Sequence, residues 1–513
     1  MEPSITTRNG TLAKDLLASV VVFLVALPLC LGIAIASGAP PAAGLITGII
    51  GGLIVGMFSG CPLQVSGPAA GLAVIVFELI QEHGWEALGP IIVMAGVIQV
   101  AAGLLRFGQL FRAIAPAVIY GMLAGIGILI FGAQFHVMVD DRPRESGWQN
   151  LLSIPSAIYK GLLPVDGSTH HLAAMLGILT VVVIVMWGRL APSKLKWIPG
   201  ALVAVLSATA LAQLMSWPVR YVDLPDRLLS SIRLPAVASF SRLLQPEFLI
   251  AAVTLAFIAS AETLLSAAAV DRMHDGKKTN YDREMVSQGA GNILSGLLGG
   301  LPMTGVIVRS ATNVAAGAKT RRSAMLHGFW LLVVVALFPT VLRMVPTASL
   351  AAVLVYTGFK LVNPENVRRL ASYGTTPVVI YAATVVMIVA TDLLLGILTG
   401  LVLSLLKVLW ALSHLVLEVH EDAGRRRADV HLSEAATFLR LPKLVDRLSS
   451  IPAGWEVHIH FQHMRYIDHA CMDAIADWAK QRTDKGWCVT VEWTDLMEKY
   501  REKNGYRSKQ VAA

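Results

Sequence analysis

Ser66-Gly67-Pro68-Ala69 in the first half of the chain and Gly300-Leu301-Pro302-Met303-Thr304-Gly305 in the second interrupt two apolar stretches at matching places. Breaks of this kind predict where a membrane-embedded chain holds its cargo. A helix that begins in mid-bilayer leaves its first N–H groups and the positive end of its dipole without partners, and lipid supplies none. Such an end must therefore face protein or a wet cavity. Two of them facing each other make an anion site. Pro62-Leu63-Gln64-Val65-Ser66 reads as an extended approach to a helix starting at Gly67, with Pro68 suited to its first turn. Leu301-Pro302-Met303-Thr304 plays the same part before the second helix. Gly67, Pro68 and Ala69 on one side, and Gly305, Val306 and Ile307 on the other, are thus expected to turn backbone N–H groups toward the anion.

The surrounding sequence belongs in lipid. Of 513 residues, 55% are hydrophobic and 15% charged, against roughly 25% charged in an average soluble domain. Fourteen apolar runs read as membrane spans, near residues 15–38, 41–59, 67–81, 87–105, 111–135, 172–188, 198–216, 247–270, 285–299, 305–317, 323–342, 346–360, 376–391 and 393–418; the third, ninth and tenth are short. Laying residues 15–217 over 247–418 sets the first span on the eighth and the third on the tenth. An odd number of spans per half inserts the second half upside down. The expected fold is an all-α polytopic membrane domain of two inverted seven-segment repeats over residues 1–420, followed by a small cytoplasmic α/β domain over 428–500. Met1 to Thr11 has no cleavable-signal pattern, because the apolar run after it is too long and flows into a second, so the first span is expected to stay in the protein.

Lys and Arg set the orientation. Arg106 and Arg112, Arg189, Lys194 and Lys196, Arg272, Lys277, Lys278 and Arg283, Lys319, Arg321 and Arg322, and Arg368 and Arg369 all fall in loops on one side, while the tight loops Gly38–Pro41 and Glu82–Gly89 carry none. This pattern places both termini in the cytoplasm and the chain in the cell's inner (plasma) membrane. The net charge of +8 is accounted for by that bias and by anionic membrane lipid; no basic patch is interleaved with aromatics as nucleic-acid binding would need. Cys30 and Cys61 sit in apolar surroundings and Cys471 and Cys488 in the cytoplasmic tail, so no disulfide is expected. No segment combines nucleophile, base and orienting group, and no H-E-x-x-H helix occurs, so the chain does not read as an enzyme. Glu262, within Ala256-Phe257-Ile258-Ala259-Ser260-Ala261 and Thr263-Leu264-Leu265-Ser266, is a carboxylate at a depth where charge is costly and hence a functional candidate. Ser266 lies one turn further on the same face.

The run Pro28-Leu29-Cys30-Leu31-Gly32-Ile33-Ala34-Ile35-Ala36-Ser37-Gly38-Ala39-Pro40-Pro41-Ala42-Ala43-Gly44-Leu45, followed by Val65-Ser66-Gly67-Pro68, resembles the start of the SulP family of anion transporters and exchangers, and Asn292 to Arg309 with Gly317-Ala318-Lys319-Thr320 resembles its tenth span. The resemblance implies a secondary transporter of a small inorganic anion, bicarbonate before sulfate, in which a core domain carrying spans three, eight and ten moves against a gate domain. It places Arg309 where relatives carry a basic residue near the anion, and Glu262 where they carry an acid beside it. No cofactor is implied. The coupling ion is Na⁺ or H⁺ at Glu262 and Ser266; Ile307 stands where sodium-coupled relatives carry a hydroxyl, and Leu29 where many carry Gln. Homodimers, and a carbonic anhydrase as partner, also follow from the resemblance. The alternative class is an anion channel or voltage-responsive anion-binding protein.

In the tail, Val457-His458-Ile459-His460-Phe461 alternates like a strand, Asp468 to Gln481 reads as a helix, and Trp487-Cys488-Val489-Thr490-Val491-Glu492 as the next strand. This resembles a truncated STAS domain. Asp468 is followed by His469-Ala470-Cys471, with no Ser or Thr to accept a phosphoryl group. His458, His460, His463 and His469 read as strand-face packing rather than as a zinc cluster. The expected role of the domain is to organise a dimer or receive a partner.

Overall fold

A computed structural model describes residues 8–109, 114–144, 146–162, 169–192, 195, 197–225, 232, 234–412 and 415–493. Of the basic loop residues, Arg112, Lys194 and Lys196 lie outside this set. The chain divides into a helical unit, Met1–Leu401, and a second unit, Val402–Ala513.

Each of the fourteen apolar runs contains a helix. The first seven are Arg8–Ala36, Pro41–Phe58, Ala73–His83 with the 3-10 turn Ala70–Leu72 before it, Trp85–Leu104, Pro116–Met138, His170–Leu190 and Gly200–Leu214. The second seven are Pro246–Asp271, Tyr281–Leu297, Ile307–Ala315, Arg322–Leu337, Thr347–Leu361, Thr375–Ala390 and Leu393–Leu412. Among the described residues, seven helices are long and apolar enough to cross a membrane. The helices of the third and tenth spans are 11 and 9 residues long, roughly 16 and 14 Å, about half the hydrocarbon thickness. Among the described residues, three further α-helices lie between the spans, Gly147–Leu162, Pro339–Arg343 and Pro364–Ala371.

Packing between the spans follows the repeat. The first span packs on the eleventh and the eighth on the fourth; the second on the eleventh and the ninth on the fourth; the sixth on the twelfth and the thirteenth on the fifth. Each pair becomes its partner pair when seven is added to or taken from both span numbers. The fifth and twelfth spans pack on each other, as do the breaks before the third and tenth. This is the contact pattern of two repeats related by a two-fold axis.

Small residues set the closest approaches, as expected where lipid provides no hydrophobic drive between helices. A Cβ on Gly96 of the fourth span would lie 2.6 Å from the Gly289 carbonyl oxygen of the ninth, and one on Gly289 would lie 2.6 Å from that of Gly96. Gly52 and Gly328 make the equivalent contact between the second and eleventh. Because the obstacle is backbone, it cannot swing aside. Gly96→Val is expected to destabilise the helical unit by about 1–3 kcal/mol, the usual cost of overpacking, read as a lower melting temperature in detergent.

The second unit holds a four-stranded sheet in the order β3-β4-β5-β6, numbered after the two short strands β1 (Ser66–Pro68) and β2 (Met303–Gly305) of the helical unit. Its strands are β3 (Leu415–Asp422), β4 (Arg427–Ala436), β5 (Glu456–Ile467) and β6 (Val489–Val491). β3 and β4 form an antiparallel hairpin; β4, β5 and β6 run parallel. Helices Leu441–Ser449 and His469–Thr483 bury Leu444, Leu448, Cys471 and Ile475 against Val430, Leu432, Ile459 and Phe461. Two boundaries need correcting. The last span does not run to residue 418 and the α/β unit does not wait until 428, because Leu415–Asp422 is already the first strand of the sheet, with Leu417 and Val419 packed on its core. Residues 494–500 lie outside the described set.

His460 on β5 ties three strands together, with Nδ1 2.8 Å from Glu492 Oε2 and Nε2 3.4 Å from Asp429 Oδ1 of β4. Its ring stacks on that of His431 at 4.7 Å, and His458 pairs with Glu456 at 2.7 Å. Among the described residues no three His, Cys, Asp or Glu converge as metal ligands; the side chain of His463 lies outside that set. Burial opposes the charged form of His460, but the bonds to Glu492 and Asp429 outweigh it and hold its pKa above that of a free imidazole. A raised folded-state value contributes stability that is complete below the unfolded value, about 6.5, and is lost as pH rises through the folded one. Hydrogen-exchange protection of Val489–Val491 is therefore expected to fall as pH rises above neutrality, and His460→Gln is expected to flatten that dependence.

Candidate anion site

The two breaks meet. β1 and β2 pair antiparallel, Ser66 with Gly305, Gly67 with Thr304 and Pro68 with Met303. The third-span helix thus does not begin at Gly67: Gly67 and Pro68 are extended, Ala69 caps a 3-10 turn, and the chain is helical only from Ala70. Pro68, moreover, has no N–H to offer. On the other side the Gly305 N–H donates to Thr263 Oγ1 at 3.1 Å and the Val306 N–H to the Val65 carbonyl at 2.9 Å. The N–H groups left without a helical partner belong to Ala70 and Gly71, and to Ile307, Val308 and Arg309.

Extended backbone at this depth needs internal partners, and polar side chains supply them. The Val65 N–H donates to Ser310 Oγ at 2.9 Å, and that hydroxyl donates to the Val306 carbonyl. Asn292 accepts from the Met303 N–H at 2.7 Å and donates to the Met303 carbonyl and to Gln99 Oε1. Thr47 accepts from the Leu301 N–H at 2.6 Å. Gln288 donates to Ser66 Oγ and to Glu284, a buried carboxylate that also accepts from Ser59 Oγ and the Cys61 N–H.

The eighth span joins both half-helices through adjacent residues. Thr263 touches the Gly305 N–H, and Glu262 places its carboxylate at the third helix's first turn, where a Cβ on Gly71 would lie 2.9 Å from Oε2. That oxygen is buried and has no hydrogen-bond partner among the described residues. Ser266 follows one turn later, also buried.

Arg309 is 0% exposed. Its guanidinium fills the space that a side chain at Gly67 would take, with Nη1 2.2 Å from where that Cβ would stand. Nε, Nη1 and Nη2 all lack a hydrogen-bond partner among the described residues, and the neighbouring Cys30 thiol is only a weak one. No ion pair joins Arg309 to Glu262. Positive charge and carboxylate are both held at the start of the third span, the guanidinium at Gly67 and the carboxylate at Gly71, with no ion pair between them.

Residues 12–384 match the sulfate permease family. The chain belongs to that family. It is 32% identical over 367 residues to the putative sulfate transporter YvdB of Bacillus subtilis, covering 70% of this chain and 66% of that one, slightly under two thirds of the relative's length. The transmembrane domain of a cyanobacterial bicarbonate transporter, BicA, matches 76% of this chain and 98% of its own with TM-score 0.64 at 27% identity. The murine Solute Carrier 26 family member A9 anion transporter in its inward-facing state matches 94% of this chain and 86% of its own with TM-score 0.77 at 14% identity, a likeness of fold alone. The sulfate permease family comprises membrane anion transporters, not enzymes, that work without a cofactor.

In this sulfate permease family chain, one face of the tenth helix opens onto a cavity of about 600 Å³. Val308 and Thr312 line it from the tenth span, Leu29 from the first, and Tyr356 and Lys360 from the twelfth. The Lys360 ammonium lies over the Tyr356 ring at 4.8 Å. The sequence reading passed over the buried Thr47, Gln99, Gln288 and Asn292. Their signal was available, since Gln288 and Asn292 stand four residues apart on one helical face inside an apolar run.

Proposed function

We propose that this chain is a secondary active transporter of a small inorganic anion, bicarbonate first and sulfate second, working by alternating access. The anion rests between the first turns at Ala70–Gly71 and Ile307–Arg309, near Gly67 and Gly305, with Arg309 as fixed positive charge and Glu262, with Ser266 behind it, as the seat of the coupling ion, H⁺ or Na⁺. The helical part, through the last span at Leu393–Leu412, carries out transport with both termini on the cytoplasmic side of the plasma membrane. The tail, whose sheet begins at Leu415, is a STAS-like domain that organises a homodimer or receives a partner such as a carbonic anhydrase.

One observation carries this reading: the β1–β2 pairing brings two half-length helix starts to the same place beside a buried, unpartnered guanidinium. Backbone dipoles and one cation read charge and size, so bicarbonate rests on the likeness to BicA and sulfate on that to YvdB. The test is uptake of labelled bicarbonate and labelled sulfate by the purified protein in liposomes, with sodium and proton gradients imposed separately. Accumulation above the external concentration is expected with one of the gradients. Equilibration alone, whatever the gradient, would replace the transporter with the channel reading.

A further inference from the structure

His327 of the eleventh span is fully buried and takes no part in the reading above. Its Nδ1 is hydrogen-bonded to the Ala324 carbonyl oxygen. A carbonyl only accepts, so Nδ1 carries the ring proton and Nε2 is left as a lone pair. That Nε2 is buried with no hydrogen-bond partner among the described residues, and so are all three nitrogens of Arg309. The two groups sit against adjacent turns of the second span: the Gly67 Cβ position that Arg309 Nη1 crowds is 3.8 Å from Gly48 Cα, and His327 packs on Gly52, one turn further along. Glycine makes room for both: a Cβ on Gly52 would lie 2.8 Å from His327 Cε1, and one on Gly67 would collide with Arg309 Nη1. Donors lacking an acceptor and an acceptor lacking a donor, with no direct bond between them, are complementary across one bridging water.

We propose that His327 is a positioning residue for Arg309, a neutral lone pair that orients the guanidinium beside the tenth helix's first turn without cancelling its charge. A carboxylate there would bind the guanidinium more tightly but neutralise the field the anion uses. An apolar side chain would leave the planar fork free to turn away. The inference rests on the reading of Arg309 as the fixed charge of the anion site.

Concentration-dependent uptake of labelled bicarbonate and sulfate into liposomes tests it. His327→Phe keeps a ring but removes the lone pair, and is expected to raise KM about tenfold with little change in maximal rate, the size of one hydrogen bond to a charged group. His327→Asn reaches the Nδ1 position but not Nε2 and is expected to do the same, which covers the case where the Phe variant does not fold. His327→Gln, whose amide oxygen reaches the Nε2 position, is expected to restore KM to within about twofold. On an Arg309→Gln background, His327→Phe is expected to add nothing further. A folded Phe or Asn variant with wild-type KM, or additive losses in the double variant, overturns the role of His327. An Arg309→Gln protein with wild-type KM would instead overturn the anion-site reading itself.

Discussion

Replacing Arg309 by Gln is expected to abolish concentrative uptake and weaken anion binding by about 100-fold, while leaving the empty protein as stable as before or more so. Arg309 is a buried full positive charge whose three nitrogens have no hydrogen-bond partner among the described residues beyond the weak Cys30 thiol. An uncompensated buried charge costs a fold several kcal/mol, and removing it returns that cost. A bound anion is the partner that the guanidinium lacks. At an effective dielectric of about 20, unit charges roughly 6 Å apart attract by about 3 kcal/mol, or about 100-fold in affinity. The two effects have opposite signs, which separates this role from ordinary packing. Loss of a packing residue lowers the melting temperature with or without anion. Loss of Arg309 is expected to raise or preserve it without anion and to erase the upward shift that sulfate or bicarbonate gives the wild type. Arg309→Lys is expected to recover only part of the affinity, since its shorter ammonium does not fill the recess at Gly67. Melting curves in detergent with and without each anion decide the matter. A Gln variant stabilised by anion as strongly as the wild type would remove Arg309 from the site.

The two breaks that frame the candidate site were legible from their matching places in the two halves, not from Gly and Pro alone, since Pro28 and Pro90 sit inside unbroken helices. Gly67-Pro68 and Pro302 to Gly305 stop two apolar runs, and their matching places implied that they face each other. Their conformation was not legible. Pro68 suits the first turn of a helix and an extended segment equally well, and the partner that selects the strand is Met303, far along the chain. For the same reason the N–H groups of Gly305 and Val306 looked free, although Thr263 and Val65 already engage them. Residues 415–418 read as the end of a span because the apolar run from 393 continues through them. Leu415-Val416-Leu417-Glu418-Val419 also fits a strand, and only the hairpin with Arg427–Ala436 decides between them. Arg309 and Glu262 stood out as charges in apolar runs, but their burial at the start of the third span, against Gly67 and Gly71, with no ion pair between them, depends on two glycines whose meaning is purely tertiary.

Replacing Glu262 by Gln is expected to leave anion exchange running while abolishing the dependence of uptake on an imposed ion gradient. The carboxylate lies against Gly71, at the positive end of the third helix, where an incoming anion would also settle. Two negative groups cannot share that end without a neutralising ion. An anion entering the site therefore favours the state in which Glu262 has taken up H⁺ or Na⁺, and the two ions travel together. Glutamine mimics the neutralised carboxyl permanently, so the site can still fill and empty but no longer requires a second ion. With protons as the coupling ion, wild-type uptake rises as the outside is made more acidic and the variant's does not; with sodium, the same contrast appears on adding a sodium gradient. Val306 and Ile307 bring no hydroxyl to the tenth helix start, and sodium prefers several oxygen ligands, so the proton is the ion expected to show the contrast. Measuring gradient-driven accumulation and counterflow on the same liposomes separates coupling from passage. A Glu262→Gln protein that still concentrates anion in response to pH or sodium would show that the coupling ion binds elsewhere.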